Sequence, residues 1–268
     1  MSAVNVIGDI HGHHTKLVRL LKKAALIDDQ LNWQGGTTTL WFMGDFFDRG
    51  PDGIGSVELV MRLQAQAEDA GGKVEALLGN HDLLLLAAYR FGSHKSLIAA
   101  AHQANERLTT KEVDMFTAGW LRNGGTLSDM VRLKRKHIQW LSERPALAQE
   151  GDKLLAHADS LLYLRCGQSV EEVNQYFRNL FQDSNMLTWN RLLDAFSEHE
   201  AFMKTRGVQR ARHFLDTFGS SQLIHGHTPI RNLTGKEALE ALVYAGGLCV
   251  NVDGGLYLGG DGFIYTLP

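Results

Sequence analysis

Gly44-Asp45-Phe46-Phe47-Asp48-Arg49-Gly50 follows an apolar run, Thr39-Leu40-Trp41-Phe42-Met43, that reads as a buried strand. Glycines at both ends let the backbone leave that strand through a sharp turn. The turn carries two carboxylates and an arginine, more charge than a packing role needs. Aspartate and glycine are also ordinary turn residues, so the stretch gains meaning only from others like it.

Those others are present. Ala3 to Ile7 is a short apolar run ending at Gly8-Asp9-Ile10-His11-Gly12. Lys73 to Leu78 ends at Gly79-Asn80-His81-Asp82, and Lys153 to Ala156 ends at His157. Gln222-Leu223-Ile224 ends at His225-Gly226-His227-Thr228-Pro229. Five expected strands therefore end in metal-capable residues: Asp9 and His11, Asp45, Asn80 and His81, His157, and His227. In α/β folds, ligands gather at the carboxyl ends of strands, where side chains distant in sequence converge.

Asp9 and His11 are two apart, so in extended backbone they point the same way. A carboxylate has two oxygens, and Asp45, on what reads as the central strand, is the candidate to bridge two ions. The donors mix carboxylate, imidazole and amide without thiolate, which suits manganese first, with iron or zinc as alternatives. Two such ions about 3.5–4 Å apart are the usual apparatus for in-line attack on a phosphoryl group. The remaining histidines (His13, His14, His94, His102, His137, His199 and His213) read as exposed or helix-face residues. His225 stays open, with orientation of a ligand as one possibility.

The rest of the chain frames these strand ends. Leu17, Leu20, Leu21, Ala24 and Ala25 fall at helical spacing, and Pro51-Asp52 opens a helix over Ile54 to Ala70. Leu83 to Tyr89 reads as a buried helix. From about Phe91 to Pro145 the pattern becomes helical and more polar, which predicts an insertion. Its basic run, Arg132 to His137, reads as a solvated helix face. Ser169 to Gly219 predicts two or three helices, and Leu242 to Leu267 predicts β hairpins. No repeat or linker divides residues 1–268, so one domain is expected.

Composition excludes several classes. With 44% hydrophobic and 21% charged residues, the 268-residue chain can bury an ordinary core. A net charge of -3 gives no electrostatic case for a nucleic-acid or membrane partner. Cys166 and Cys249 are too few for a disulfide framework, and Cys249 reads as a buried free thiol. The first residues lack a signal-peptide pattern and no run is long enough to span a bilayer, so a cytoplasmic location is expected.

Together the motifs resemble the calcineurin-like metallophosphoesterases, and more closely their phosphoprotein phosphatase branch with its bacterial and phage members. The motifs run from residue 8 to residue 228, and the tail also fits. The resemblance implies a four-layer α-β-β-α sandwich, here with a helical insertion. It implies one ion held by Asp9, His11 and Asp45, and a second held by Asp45, Asn80, His157 and His227. A bridging water would attack phosphorus, while His81, oriented by Asp48, protonates the leaving oxygen. Arg49 would grip phosphate oxygens beside Asn80, and Thr188-Trp189-Asn190-Arg191 resembles the segment that supplies a second arginine.

Two departures stand out. Asp82 occupies a position where protein phosphatases usually carry Glu, and Ala158-Asp159-Ser160 replaces the usual glycines after His157. Asp82 and the leucine run after it look more like the symmetrical dinucleoside tetraphosphatases. Asp48 and His227-Thr228-Pro229 look more like the protein phosphatases. The expected reaction is phosphomonoester hydrolysis of the protein-phosphatase type on a phosphorylated protein, peptide or small ester. The alternative is a symmetrical dinucleoside tetraphosphatase.

Overall fold

The computed structural model describes residues 2–93, 97 and 113–268. Three parallel strands, β1 (Val4–Ile7), β2 (Thr39–Phe42) and β3 (Lys73–Ala76), make most of one sheet. The second sheet holds β4 (Leu147–Glu150), β5 (Lys153–Ala156), β6 (Gln222–His225), β7 (Leu242–Tyr244) and β8 (Cys249–Asn251). Here β5, β6 and β8 are parallel, with β4 and β7 antiparallel at the edges. The chain closes with β9 (Tyr265–Thr266), which returns to the first sheet and pairs antiparallel with β1. The tail is therefore one hairpin, β7–β8, plus a strand that crosses to the other sheet, and not the run of hairpins its alternation suggests.

Side chains alternate across each strand, and this builds two apolar layers. Val6, Trp41, Met43 and Leu77 from the first sheet meet Leu155, Ile224, Val250 and Val252 from the second. Phe263, Tyr265 and Leu267, which alternate in the tail, pack against the same layer. The opposite faces, with Leu40, Phe42, Leu154 and Leu223, join a larger cluster shared with the helices. Two sheets between helices give the expected α-β-β-α arrangement.

Helices α1 (His14–Lys23) and α2 (Gly53–Asp69) are the crossovers between the parallel strands of the first sheet. The first buries Leu17, Leu20 and Leu21; the second is capped by Asp52, whose carboxylate accepts from the Gly55 amide. Helix α3 spans Asn80–Phe91, so it starts on Asn80, a candidate ligand, rather than after it. The described part of the insertion contains α4 (Met115–Arg122), α5 (Leu127–Arg132) and α6 (Arg135–Ser142). His94 and His102 lie outside the described residues.

The basic run does form a surface face. Arg132 pairs with Asp52 at 2.6 Å and Lys136 with Glu58 at 2.7 Å. His137 corrects its expectation: it is fully buried, accepts from the Lys134 amide and lies 3.2 Å from Glu58. Helices α7 (Leu162–Cys166), α8 (Val170–Gln182), α9 (Met186–Phe196), α10 (Gly207–Phe218) and α11 (Ile230–Thr234) complete the described set. Both cysteines are free thiols, and Cys249 is buried. No helix among the described residues is long and apolar enough to cross a membrane.

Candidate metal centre

The carboxyl ends of β1, β2, β3, β5 and β6 meet at one place, and the turns leaving them are conformationally unusual. His11, Asp45, Asp48, Arg49 and His227 all have positive φ, between 46° and 70°. Non-glycine residues rarely adopt that region, and its cost is held where surrounding structure fixes it, often at sites. The turns are also packed closely. A Cβ on Gly226 would lie 2.3 Å from Asp9 Oδ1, the oxygen that accepts the His227 amide at 2.9 Å.

One donor set forms around His157 Nε2, which lies 2.9 Å from Asn80 Oδ1 and 3.1 Å from His227 Nδ1. Asp45 Oδ1 is 3.4 Å from the same nitrogen. A second set forms around His11 Nε2, 3.5 Å from Asp45 Oδ2 and 3.8 Å from Asp9 Oδ2. Atoms bound to one ion at about 2.0–2.2 Å fall at about these mutual separations. The two oxygens of Asp45 thus face different sets, as a bridging carboxylate requires. His11 Nδ1 donates to Phe47 O and His157 Nδ1 to Met43 O, which leaves each Nε2 unprotonated in the neutral ring, the form that can bind a metal. Asp9 Oδ2 is buried with no hydrogen-bond partner among the described residues, so a cation there removes an otherwise costly orphan. The residues fit two divalent ions.

Beside these sets, His81 Nδ1 donates to Asp48 Oδ2 at 2.8 Å, and the Trp120 indole donates to Asp48 Oδ1 at 2.8 Å. The Arg49 guanidinium reaches both His11 Nε2 and His81 Nε2 at 2.9 Å. Its amide donates to Gly124 O, at the end of the α4 turn. The insertion therefore grips the central turn at two adjacent residues, and Trp120 is a buried hydrogen-bond donor.

A Calcineurin-like phosphoesterase model matches residues 3–231. The chain belongs to that family. "Shewanella-like protein phosphatase 2" of Arabidopsis thaliana is 36% identical over 92 residues, 34% of this chain and 24% of that protein. A "Bis(5'-nucleosyl)-tetraphosphatase, symmetrical" of Vibrio cholerae is 28% identical over 222 residues, 80% of this chain and 65% of that protein. The chain thus spans about a quarter of the first and just under two thirds of the second. Among solved structures, a cold-active protein tyrosine phosphatase gives a TM-score of 0.72 at 22% identity, covering all of this chain and 74% of that one. A putative diadenosine tetraphosphatase gives 0.51 at 16% identity, covering 100% and 93%. Both carry the same fold.

The electrostatics of the site suit its donor sets. Burial holds His11, His157 and His227 below the ordinary histidine range, so they are neutral imidazoles, the form that binds a metal. Burial opposes charge on Asp45, but His157, His81 and His11 outweigh it and keep that carboxyl well below its usual range. Burial also opposes charge on His81, and the charge of Asp45 with the hydrogen bond and charge of Asp48 reverse that and raise it. Burial raises Asp48, against the His81 hydrogen bond.

Both sequence departures prove to be braces. Asp82 is buried and accepts from the amides of Asp45, Phe46 and Gly79 at 2.8–3.0 Å, tying two motif turns together. Asp159 accepts from the Glu200 amide and the Tyr244 hydroxyl, at 2.7 Å each. The same hydroxyl lies 2.8 Å from His225 Nε2, so His225 belongs to a buried polar chain and not to either donor set.

Arg191 is exposed on α9, and its side chain has no hydrogen bond, ion pair or ring contact with a described residue. Its neighbours Asn190 and Asp194 line a cavity of about 220 Å³ with Arg122 and Asn123 of the insertion. Tyr257 is one of the residues at the site that went unread in the sequence. Tyr257 packs its ring 4.2 Å from the Arg49 guanidinium and edge-on to His11. It sits in a glycine-rich stretch whose only clear signal is a turn.

Proposed function

We propose that this phosphoesterase hydrolyses phosphomonoesters with two divalent ions, in the manner of a serine/threonine protein phosphatase. Asp9, His11 and Asp45 would hold one ion; Asp45, Asn80, His157 and His227 would hold the other. When bound, the ions, manganese in the first instance, supply a water of lowered pKa and Lewis-acid relief of charge on the phosphoryl oxygens. Asp48 orients His81 and favours its protonated form, which makes His81 the general acid for the leaving oxygen. Arg49 presents a two-pronged donor pair toward this same point. With His11 Nε2 engaged as a ligand and His81 Nε2 carrying its proton, both guanidinium donors of Arg49 are released for phosphate oxygens. Arg191 is proposed as a second phosphate contact.

The observation favouring a phosphomonoester concerns the insertion. A dinucleotide would need exposed aromatic faces for its bases, and Phe116, Trp120 and Trp140 are all buried. Asp82, which argued for the tetraphosphatases, faces backbone amides rather than substrate. A second reading, symmetrical dinucleoside tetraphosphate hydrolysis, is supported by the Vibrio relative's alignment over 80% of this chain. Comparing kcat/KM on a phosphothreonine peptide and on diadenosine tetraphosphate, at one manganese concentration, separates the two. The peptide is expected to be preferred, and a hundredfold preference for the dinucleotide would reverse the choice.

A further inference from the structure

Five strands deliver the residues described so far, but each sheet contains three strands paired in parallel, six in all. The sixth is β8, hydrogen-bonded alongside β6, and it ends at Val252-Asp253-Gly254-Gly255. Asp253 is fully buried. Its Oδ1 accepts the Gly255 amide at 2.9 Å, while its Oδ2 has no hydrogen-bond partner among the described residues. Asp9 Oδ2 is the other buried carboxylate oxygen in that condition. The two aspartates are close: a Cβ on Gly8, the residue before Asp9, would lie 2.8 Å from the Asp253 Cα. Of the charges around Asp9, that of Asp253 acts more strongly than that of Asp45.

Buried carboxylates that repel one another and leave oxygens unpaired are costly unless a cation lies between them. Two divalent ions bring four positive charges, against which the ligand histidines and Asn80 offer none and Asp9 and Asp45 offer two. We infer that Asp253 is a third carboxylate of the first metal site, facing the ion held by Asp9, His11 and Asp45 and raising the site's affinity. It would act by its charge and by orienting Asp9 or a metal-held water, and so as a positioning residue. This inference rests on the two-metal reading.

Asp253→Asn tests it, because the amide oxygen can still accept from Gly255 while the charge is gone. Manganese binding to the metal-stripped full chain would be followed by calorimetric titration, and the melting of the metal-free protein recorded alongside. Wild type should take two ions. In the variant one of them should bind at least about tenfold more weakly, the loss usual when a group supporting a ligand is removed. Its metal-free form should melt above metal-free wild type, since a like-charge contact with Asp9 has been relieved. A merely structural Asp253 predicts the opposite melting change. Both ions binding within twofold of wild type, or a lower metal-free melting temperature with affinities unchanged, would overturn the inference. If Asp253→Asn does not fold, Asp253→Ser, which keeps an acceptor for Gly255, is held to the same two outcomes. Wild type that never takes more than one ion would instead overturn the dinuclear reading itself, and the inference with it.

Discussion

His81 and Trp120 reach Asp48 from opposite sides, one donor to each carboxylate oxygen. In the proposed mechanism that geometry separates proton delivery from phosphate binding. His81→Asn should lower kcat by about 10²–10⁴-fold on an alkyl phosphate, whose leaving group needs a proton. The loss should shrink sharply on p-nitrophenyl phosphate, whose leaving group departs as an anion. Trp120→Phe removes only the donor to Asp48 Oδ1 and should reproduce the same leaving-group dependence at smaller amplitude, with KM unchanged. Equal losses on both substrates would take the general-acid role from His81 and the positioning role from Trp120. The candidate ligand residues were legible because each follows an apolar strand and all but His157 sit beside a glycine, a pattern that repeats along the chain. Trp120 was not, since an indole in a helical pattern looks like core, and here it is core with its N–H aimed at a carboxylate. Asp253 follows the same strand-then-glycine rule, but Asp-Gly-Gly in a glycine-rich tail reads first as a turn.

At the scale of elements, the start of α3 decides whether the β2 and β3 turns hold their shape. Asp82 sits in its first turn and collects three amides, two from the Asp45 turn and one from Gly79. A shorter acid than the usual Glu therefore does a bracing task, which the sequence could not disclose because the amides come from a segment nearly forty residues away. Asp82→Asn leaves one acceptor oxygen for those donors, so at least one buried amide loses its partner. The expected cost is about 1–3 kcal/mol, measured by urea unfolding of the metal-free protein. Because the same amides shape the turn carrying Asp45, both ions should also bind more weakly. An unchanged unfolding midpoint would show that the brace is dispensable. The tail was misread for a related reason: alternation in Phe263, Tyr265 and Leu267 reports a strand with one buried face, but nothing local says which sheet it joins.

At the scale of the whole molecule, the candidate metal centre lies across the join between the two sheets. Asp9, Asp45 and Asn80 come from strand ends of the first sheet, and His157 and His227 from the second. The second donor set draws on both, since His157 Nε2 sits within 3.4 Å of Asp45 Oδ1 and 2.9 Å of Asn80 Oδ1. Bound ions would therefore hold together two layers that already share the apolar face of Val6, Trp41, Leu155 and Ile224. A ligand that binds only the folded state stabilises by about 2.7 kcal/mol at a hundredfold excess over Kd. Calorimetry should show one cooperative transition with or without metal, with manganese raising its midpoint by several degrees. Asn80→Ala should remove part of that rise while leaving the metal-free midpoint nearly unchanged, because its amide oxygen has no role in the shared core. Two resolved transitions after metal removal would mean that the sheets fold separately and that the one-domain reading fails. A midpoint indifferent to manganese would mean that the ions, if bound, do not tie the sheets together.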